Sequence, residues 1–177
     1  MELLISEYVE GSSNNKAIEI ANIMTSPVEL NGYNLRRDSN GSGDWSEKFD
    51  LTGTINVGDV IVIINANANS QILLDQADIV VANNQSTNYG EPLNFNGNDP
   101  VGLFKGDILI DIVGVFGGGS SNLAKDVTLR RKSTVVEPNI NFNLDNEWDA
   151  FPMDTFDDIG GTHLTLSTEE YGWKQLH

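Results

Sequence analysis

The sequence predicts an all-β sandwich or barrel built from about eight to ten short strands. Three observations carry that prediction. Turn formers are dense, with 17 glycines in 177 residues and asparagine abundant. Short alternating or β-branched apolar runs lie between the turns. Only one stretch, Gln71–Asp78, has helical character, and it is long enough for two turns at most, with Ser70 placed to cap it.

The elements follow in order. Leu3, Ile5, Tyr8 and Val9 open the chain, and the polar tip Gly11–Asn15 leads into Ala17–Ile20, which together read as a hairpin. Val28–Leu30 and Tyr33–Leu35 alternate around the turn Asn31–Gly32. Asp59–Asn65 is continuously apolar and β-branched at its centre, which predicts a strand buried on both faces. Val101–Lys105 and Ile108–Val113 flank Gly106–Asp107, a tight hairpin turn. Val127–Lys132 reads as a half-exposed strand, and Trp148 and Phe151 belong to a late aromatic stretch. Residues 166–177 lack alternation and read as a peripheral tail or an appended remnant, leaving 3–165 as one domain.

Composition excludes several function classes. Ten basic residues against 26 acidic ones give a net charge of −16. That balance opposes phosphate binding, so neither nucleic acid nor an anionic membrane surface is an expected partner. No apolar run approaches the roughly 20 residues that span a bilayer. The absence of cysteine removes disulfides, thiolate zinc sites and thiol nucleophiles together. The opening MELLISEYVEG has a negative first charge and does not read as a signal peptide, so the chain is expected to be cytosolic or a mature, excised segment without its leader.

Seven segments, in order, resemble bacterial lamin-tail domains: Ile5–Ile20, Val28–Leu35, Gly58–Ile63, Asn94–Leu103, Ile110–Asp111 with Gly114, Thr128–Lys132 and Asp154–Phe156. The resemblance spans residues 3–163. Gly160–His163 departs from the Gly-Ser-His that often closes the family pattern, and Asn22 is flanked by Ala21 and Ile23 where an aromatic-Asn-Pro arrangement is common. The resemblance implies an immunoglobulin-like β-sandwich. It also implies a non-catalytic module of a secreted or cell-surface bacterial protein, accessory to an extracellular enzyme such as a nuclease or phosphatase. There is no heptad rod, so the filament role of the animal relatives does not carry over.

Candidate chemistry is sparse. Of the two histidines, His163 is the only serious general base, and no nucleophile elbow accompanies it. Calcium is the cation that the oxygen-rich loops suit. Asn94, Asn96, Asn98 and Asp99 surround Gly97 with oxygens at alternate positions, and Asp154 with Asp157 offers a second set. The same asparagines equally suit Asx-turns that feed the next strand. No cofactor is required by either reading. Acidic residues crowd 145–158 around Trp148, so a hydrolase using a carboxylate pair is a further reading, set against a solvated acidic edge. Arg36–Arg37 and Arg130–Lys132 either pair with acidic loops or form a small anion patch. Gly117–Ser121 reads as a flexible surface loop. Trp45 sits in a polar loop, where it packs on the sheet or stacks on a sugar or protein. The leading expectation is a binding or scaffold module for a protein, a glycan or a neighbouring domain. A calcium-binding surface module and a hydrolase are the alternatives.

Overall fold

Strand β1 (Leu4–Glu10) pairs antiparallel with β2 (Lys16–Ala21), the two joined by the polar tip. Ile5 lies opposite Ile20 and Glu7 opposite Glu19, so Ser6 is an extra residue in β1. This β-bulge explains the odd spacing of the opening apolar residues: Leu3, Ile5 and Tyr8 all reach the main core. The computed structural model describes residues 1–46, 48–82 and 90–163. The tail expected at 166–177, with His177, lies outside the described residues.

β7 (Val60–Asn65) pairs with β2 and is buried along nearly its whole length. Ile61 and Ile63 enter the main core, while Val62 and Ile64 enter a second cluster on the opposite face with Val9, Ala17, Leu73 and Phe156. The uninterrupted apolar run therefore reflects two packed faces. Helix α1 (Gln71–Gln76) supplies Leu73 and crosses to β8 (Ile79–Val81), which runs parallel to β7. Ser70 takes the cap position but its side chain makes no capping bond.

The first sheet has six strands in the order β12-β11-β1-β2-β7-β8, with β11 at Val127–Arg131 and β12 at Trp148–Pro152. The second has the order β10-β9-β4-β5, with β4 at Tyr33–Arg37, β5 at Phe49–Asp50, β9 at Val101–Lys105 and β10 at Ile108–Val113. β3 (Val28–Glu29) and β6 (Thr54–Ile55) form a small third pair. One cluster drawn from both large sheets fills the space between them, including Leu35, Leu103 and Val113 from one and Ile20, Ile63 and Leu129 from the other. Each such aliphatic side chain is worth about 1.5–3 kcal/mol when fully buried. The architecture is an immunoglobulin-like β-sandwich.

Two departures from expectation have local causes. Twelve strands appear among the described residues because three of them are two-residue pairings too short to show as runs. A second helix, α2 (Leu144–Glu147), was not anticipated; it is one turn, capped by the Asn143 side chain, which accepts from the Asn146 amide at 3.4 Å.

Candidate functional site

The Asn94–Asp99 loop turns the Asp99 carboxylate inward. The Asp99 carboxylate is 4% exposed. Its Oδ1 accepts from the Asn40 amide at 2.6 Å, and its Oδ2 accepts from the Asn96 amide at 2.7 Å and from Arg37 Nη1 at 3.2 Å. Asn98 Nδ2 donates to Asn40 Oδ1 at 3.3 Å, and Phe95 stacks on Tyr8 with ring centroids 4.6 Å apart. The Asp99 oxygens that the spacing offered to calcium thus tie the loop to the Asn40 amide and to Arg37.

The second set is dispersed in the same way. Asp154 Oδ1 accepts from the Ser12 amide at 2.8 Å, while Asp157 accepts from Arg130 Nη2 at 2.9 Å. Glu147 takes Arg131 at 2.6 Å and Asn139 at 2.6 Å. Among the described residues, no three His, Asp or Glu side chains are grouped so as to hold a metal ion. His163 Nε2 meets the Val135 carbonyl at 2.8 Å, and burial lowers its pKa.

Trp45 is half-buried and its ring is already engaged. Phe116 stacks on it at 4.7 Å and Phe104 meets it edge-on at 5.1 Å. The exposed member of this aromatic trio is Phe116, 43% open. Beside it, edge strand β10 and the 139–142 segment enclose a groove of about 370 Å³ lined by Leu109, Ile112, Val115, Ile140 and Phe142. Ile108, Val115 and Ile140 are exposed along the same edge.

Buried Asp38 organises this corner. It accepts from Ser42 Oγ at 3.0 Å, from the Gly43 amide at 3.0 Å and from the Gly117 amide at 2.8 Å. The Gly119 amide donates to the Gly41 carbonyl at 2.9 Å, so close that a Cβ on Gly41 would sit 2.5 Å from Gly119 N. The glycine-rich segment, expected to be flexible, is tied down at both of these points. The basic pairs are likewise consumed, Arg36 by Asp107 at 2.6 Å and Arg131 by Asp111 at 2.6 Å.

On the outer face of the six-stranded sheet lies a polar cleft of about 250 Å³, lined by Glu7, Glu19, Arg130, Asp149, Asp158 and His163, among others. Burial pushes Glu7 up to about 8, helped by the charge of Glu19, and burial pushes Glu19 up to about 7.

Comparison with known families closes the assignment. The Lamin Tail Domain family matches residues 1–117. The chain belongs to this family. A search of curated proteins finds no match. The lamin-tail family is immunoglobulin-like, a binding and scaffold family, generally non-catalytic. In this lamin-tail chain the matched stretch supplies β1 to β10, while β11 and β12, drawn from residues beyond it, complete the six-stranded sheet.

Sequence reasoning passed over three residues of this lamin-tail domain. Asp38 lies in no recognisable motif. Glu7 and Glu19 are single acids inside short apolar runs. Their opposition depends on the bulge at Ser6, which leaves no local signature.

Proposed function

We propose that this lamin-tail chain is a non-catalytic docking module of a secreted or cell-surface bacterial protein, serving as an accessory domain to an extracellular enzyme such as a nuclease or phosphatase. The observation that carries the reading is the apolar groove between β10 and the 139–142 segment, with Phe116 at its rim braced by Trp45. An exposed apolar patch on an edge strand marks a contact surface. Its chemistry suits apolar side chains of a protein partner or a neighbouring domain. A glycan would need an open aromatic platform, and one face of Trp45 is covered by Phe116.

The test is site-specific photo-crosslinking in the producing bacterium. A photoreactive phenylalanine analogue at position 116 should give a discrete adduct, while the same analogue at position 71, on α1, should not. The captured protein is then purified and titrated directly. Ile140→Asp should weaken that complex at least tenfold, about 1.4 kcal/mol. No adduct at 116, equal adducts at both positions, or indifference to Ile140→Asp would overturn the reading.

A further inference from the structure

Asparagine is followed by glycine three times, at Asn31–Gly32, Asn40–Gly41 and Asn96–Gly97. The pair carries its own chemistry. The glycine amide nitrogen can attack the asparagine side-chain carbonyl carbon, because the second residue has no Cβ to stand in the way. The attack needs an amide free of hydrogen bonds, a side chain free to turn and a peptide free to rotate. All three asparagines are exposed, so exposure does not separate them. Their surroundings do.

Asn40 is held by its backbone and its side chain. Its amide donates to Asp99 Oδ1 at 2.6 Å, its Nδ2 donates to Ser39 Oγ at 3.3 Å and its Oδ1 accepts from Asn98 Nδ2 at 3.3 Å. Gly41 is buried, and its amide donates to the Asp38 carbonyl at 3.3 Å. Asn96 donates its amide to Asp99 Oδ2 at 2.7 Å, and its carbonyl accepts from the Asp99 amide at 2.8 Å. Gly97 is buried against the Lys125 backbone, and its carbonyl accepts from the Ala124 amide at 3.3 Å. Neither peptide turns without breaking these contacts. The peptide joining Asn31 to Gly32 makes no hydrogen bond among the described residues, and neither does the Asn31 side chain. Gly32 is exposed, with nothing within 4 Å of where a Cβ would stand. The Tyr33 amide donates to the Leu30 carbonyl at 2.8 Å, and the Gly106 amide donates to the Gly32 carbonyl at 2.7 Å. The peptides on either side are therefore fixed, and the one between them is not.

We propose that Asn31 is a site of spontaneous deamidation, set apart from Asn40 and Asn96 by the fold. The Gly32 nitrogen gives its proton to a solvent base and bonds to Asn31 Cγ. The Cγ–Nδ2 bond breaks, and Nδ2 takes up a proton and leaves as ammonia. The succinimide that remains is opened by water. Cleavage of its bond from the Gly32 nitrogen to Cγ gives aspartate, and cleavage of the bond to the main-chain carbonyl carbon gives isoaspartate. Either product adds a negative charge to the turn. Isoaspartate also lengthens the backbone by one carbon, which draws the Gly32 carbonyl off the Gly106 amide and loosens the tip of the β9–β10 hairpin. The site is independent of the docking face.

The test ages the whole, unaltered chain in warm, mildly alkaline buffer, with and without denaturing urea. Peptic digestion in acid halts the reaction, and tandem mass spectrometry then reads the amide-to-acid mass gain at each asparagine over time. In the folded chain Asn31 should convert at least about tenfold faster than Asn40 or Asn96, a difference of about 1.4 kcal/mol in barrier. In urea the three should convert at similar rates, because the contacts that separate them are gone. Hydrogen exchange at the Gly106 amide should quicken in the aged chain and not in Asn31→Gln aged alike. No conversion at Asn31, equal rates at the three sites in the folded chain, or faster conversion at Asn40 or Asn96 would each overturn the proposal. A difference that persists in urea would remove the fold as its cause. Unchanged exchange at Gly106 would overturn the loosening of the hairpin.

Discussion

Arg131 Nη1 of β11 meets Asp111 Oδ2 of β10 at 2.6 Å, joining the six-stranded sheet to the edge of the four-stranded one through a buried ion pair. The same carboxylate accepts from the backbone amides of Ile5 at 2.7 Å and Asn139 at 2.9 Å. Asp111 thus holds β1, β11 and the segment that walls the apolar groove.

Removing one partner of such a pair strands the other. Asp111→Ala should cost about 3–5 kcal/mol in urea unfolding, because buried Arg131 loses the carboxylate on its Nη1 and keeps one ion-pair partner, Glu147. Asp111→Leu combined with Arg131→Met should cost less than the two single changes summed. A single-variant loss below about 1 kcal/mol would show that the sheets are joined by their apolar core alone.

Stability should fall with pH across the neutral range. Glu7 and Glu19 have folded values near 8 and 7, above the ordinary 4.5. The native state therefore holds protons that the unfolded chain has released. That contribution is fully present below about pH 4.5 and is lost as pH rises through 7 to 8. Chemical denaturation from pH 5 to 9 should show a decline of several kcal/mol, at about 1.4 kcal/mol for each unit of pKa shift. Glu7→Gln should flatten it; an unchanged slope in that variant would remove Glu7 as the cause.

Calcium should leave the fold unmoved through the 94–99 loop. The Asp99 oxygens already accept three protein donors. A melt in millimolar calcium should match one in chelator to within about 1 °C, where a saturated site would shift it by several degrees. Asp99→Ala should nonetheless destabilise by about 2–4 kcal/mol, since charge-assisted bonds are lost and Arg37 loses a partner. A calcium-dependent rise abolished by Asp99→Ala would reverse this assignment.

Two glycines separate crowding from backbone strain. A Cβ on Gly97 would sit 2.2 Å from the Lys125 Cα, whereas one on Gly53 meets nothing within 4 Å but requires φ of +102°. Gly97→Ala should cost about 3 kcal/mol or more, and Gly53→Ala about 1–2 kcal/mol. Equal losses in thermal or urea unfolding would mean that the 97–125 contact relaxes freely.

Legibility in the sequence tracked how local each cause was. β7 and the β9–β10 hairpin were readable because a β-branched run and a Gly-Asp turn act over a few residues. The Glu7–Glu19 pair was not, because a bulge sets which residue meets which and only a partner strand reveals it. The Asp99 oxygens read as calcium ligands because a carboxylate that caps backbone amides and one that binds a cation sit in the same glycine- and asparagine-rich context. Trp45 stood out as an aromatic in a polar loop, but only the fold brings Phe116, 71 residues later, onto its face.

The order of strands in the six-stranded sheet also bears on how the protein is made. β1 leaves the ribosome more than a hundred residues before one of its two neighbours, β11, which begins at Val127. Until that strand emerges, one whole side of β1 offers unpaired amides and carbonyls to any other nascent chain. The acidic Glu7 and Glu10 set along this waiting strand would repel a second copy of the same segment, so charge guards during synthesis the edge that β11 later covers.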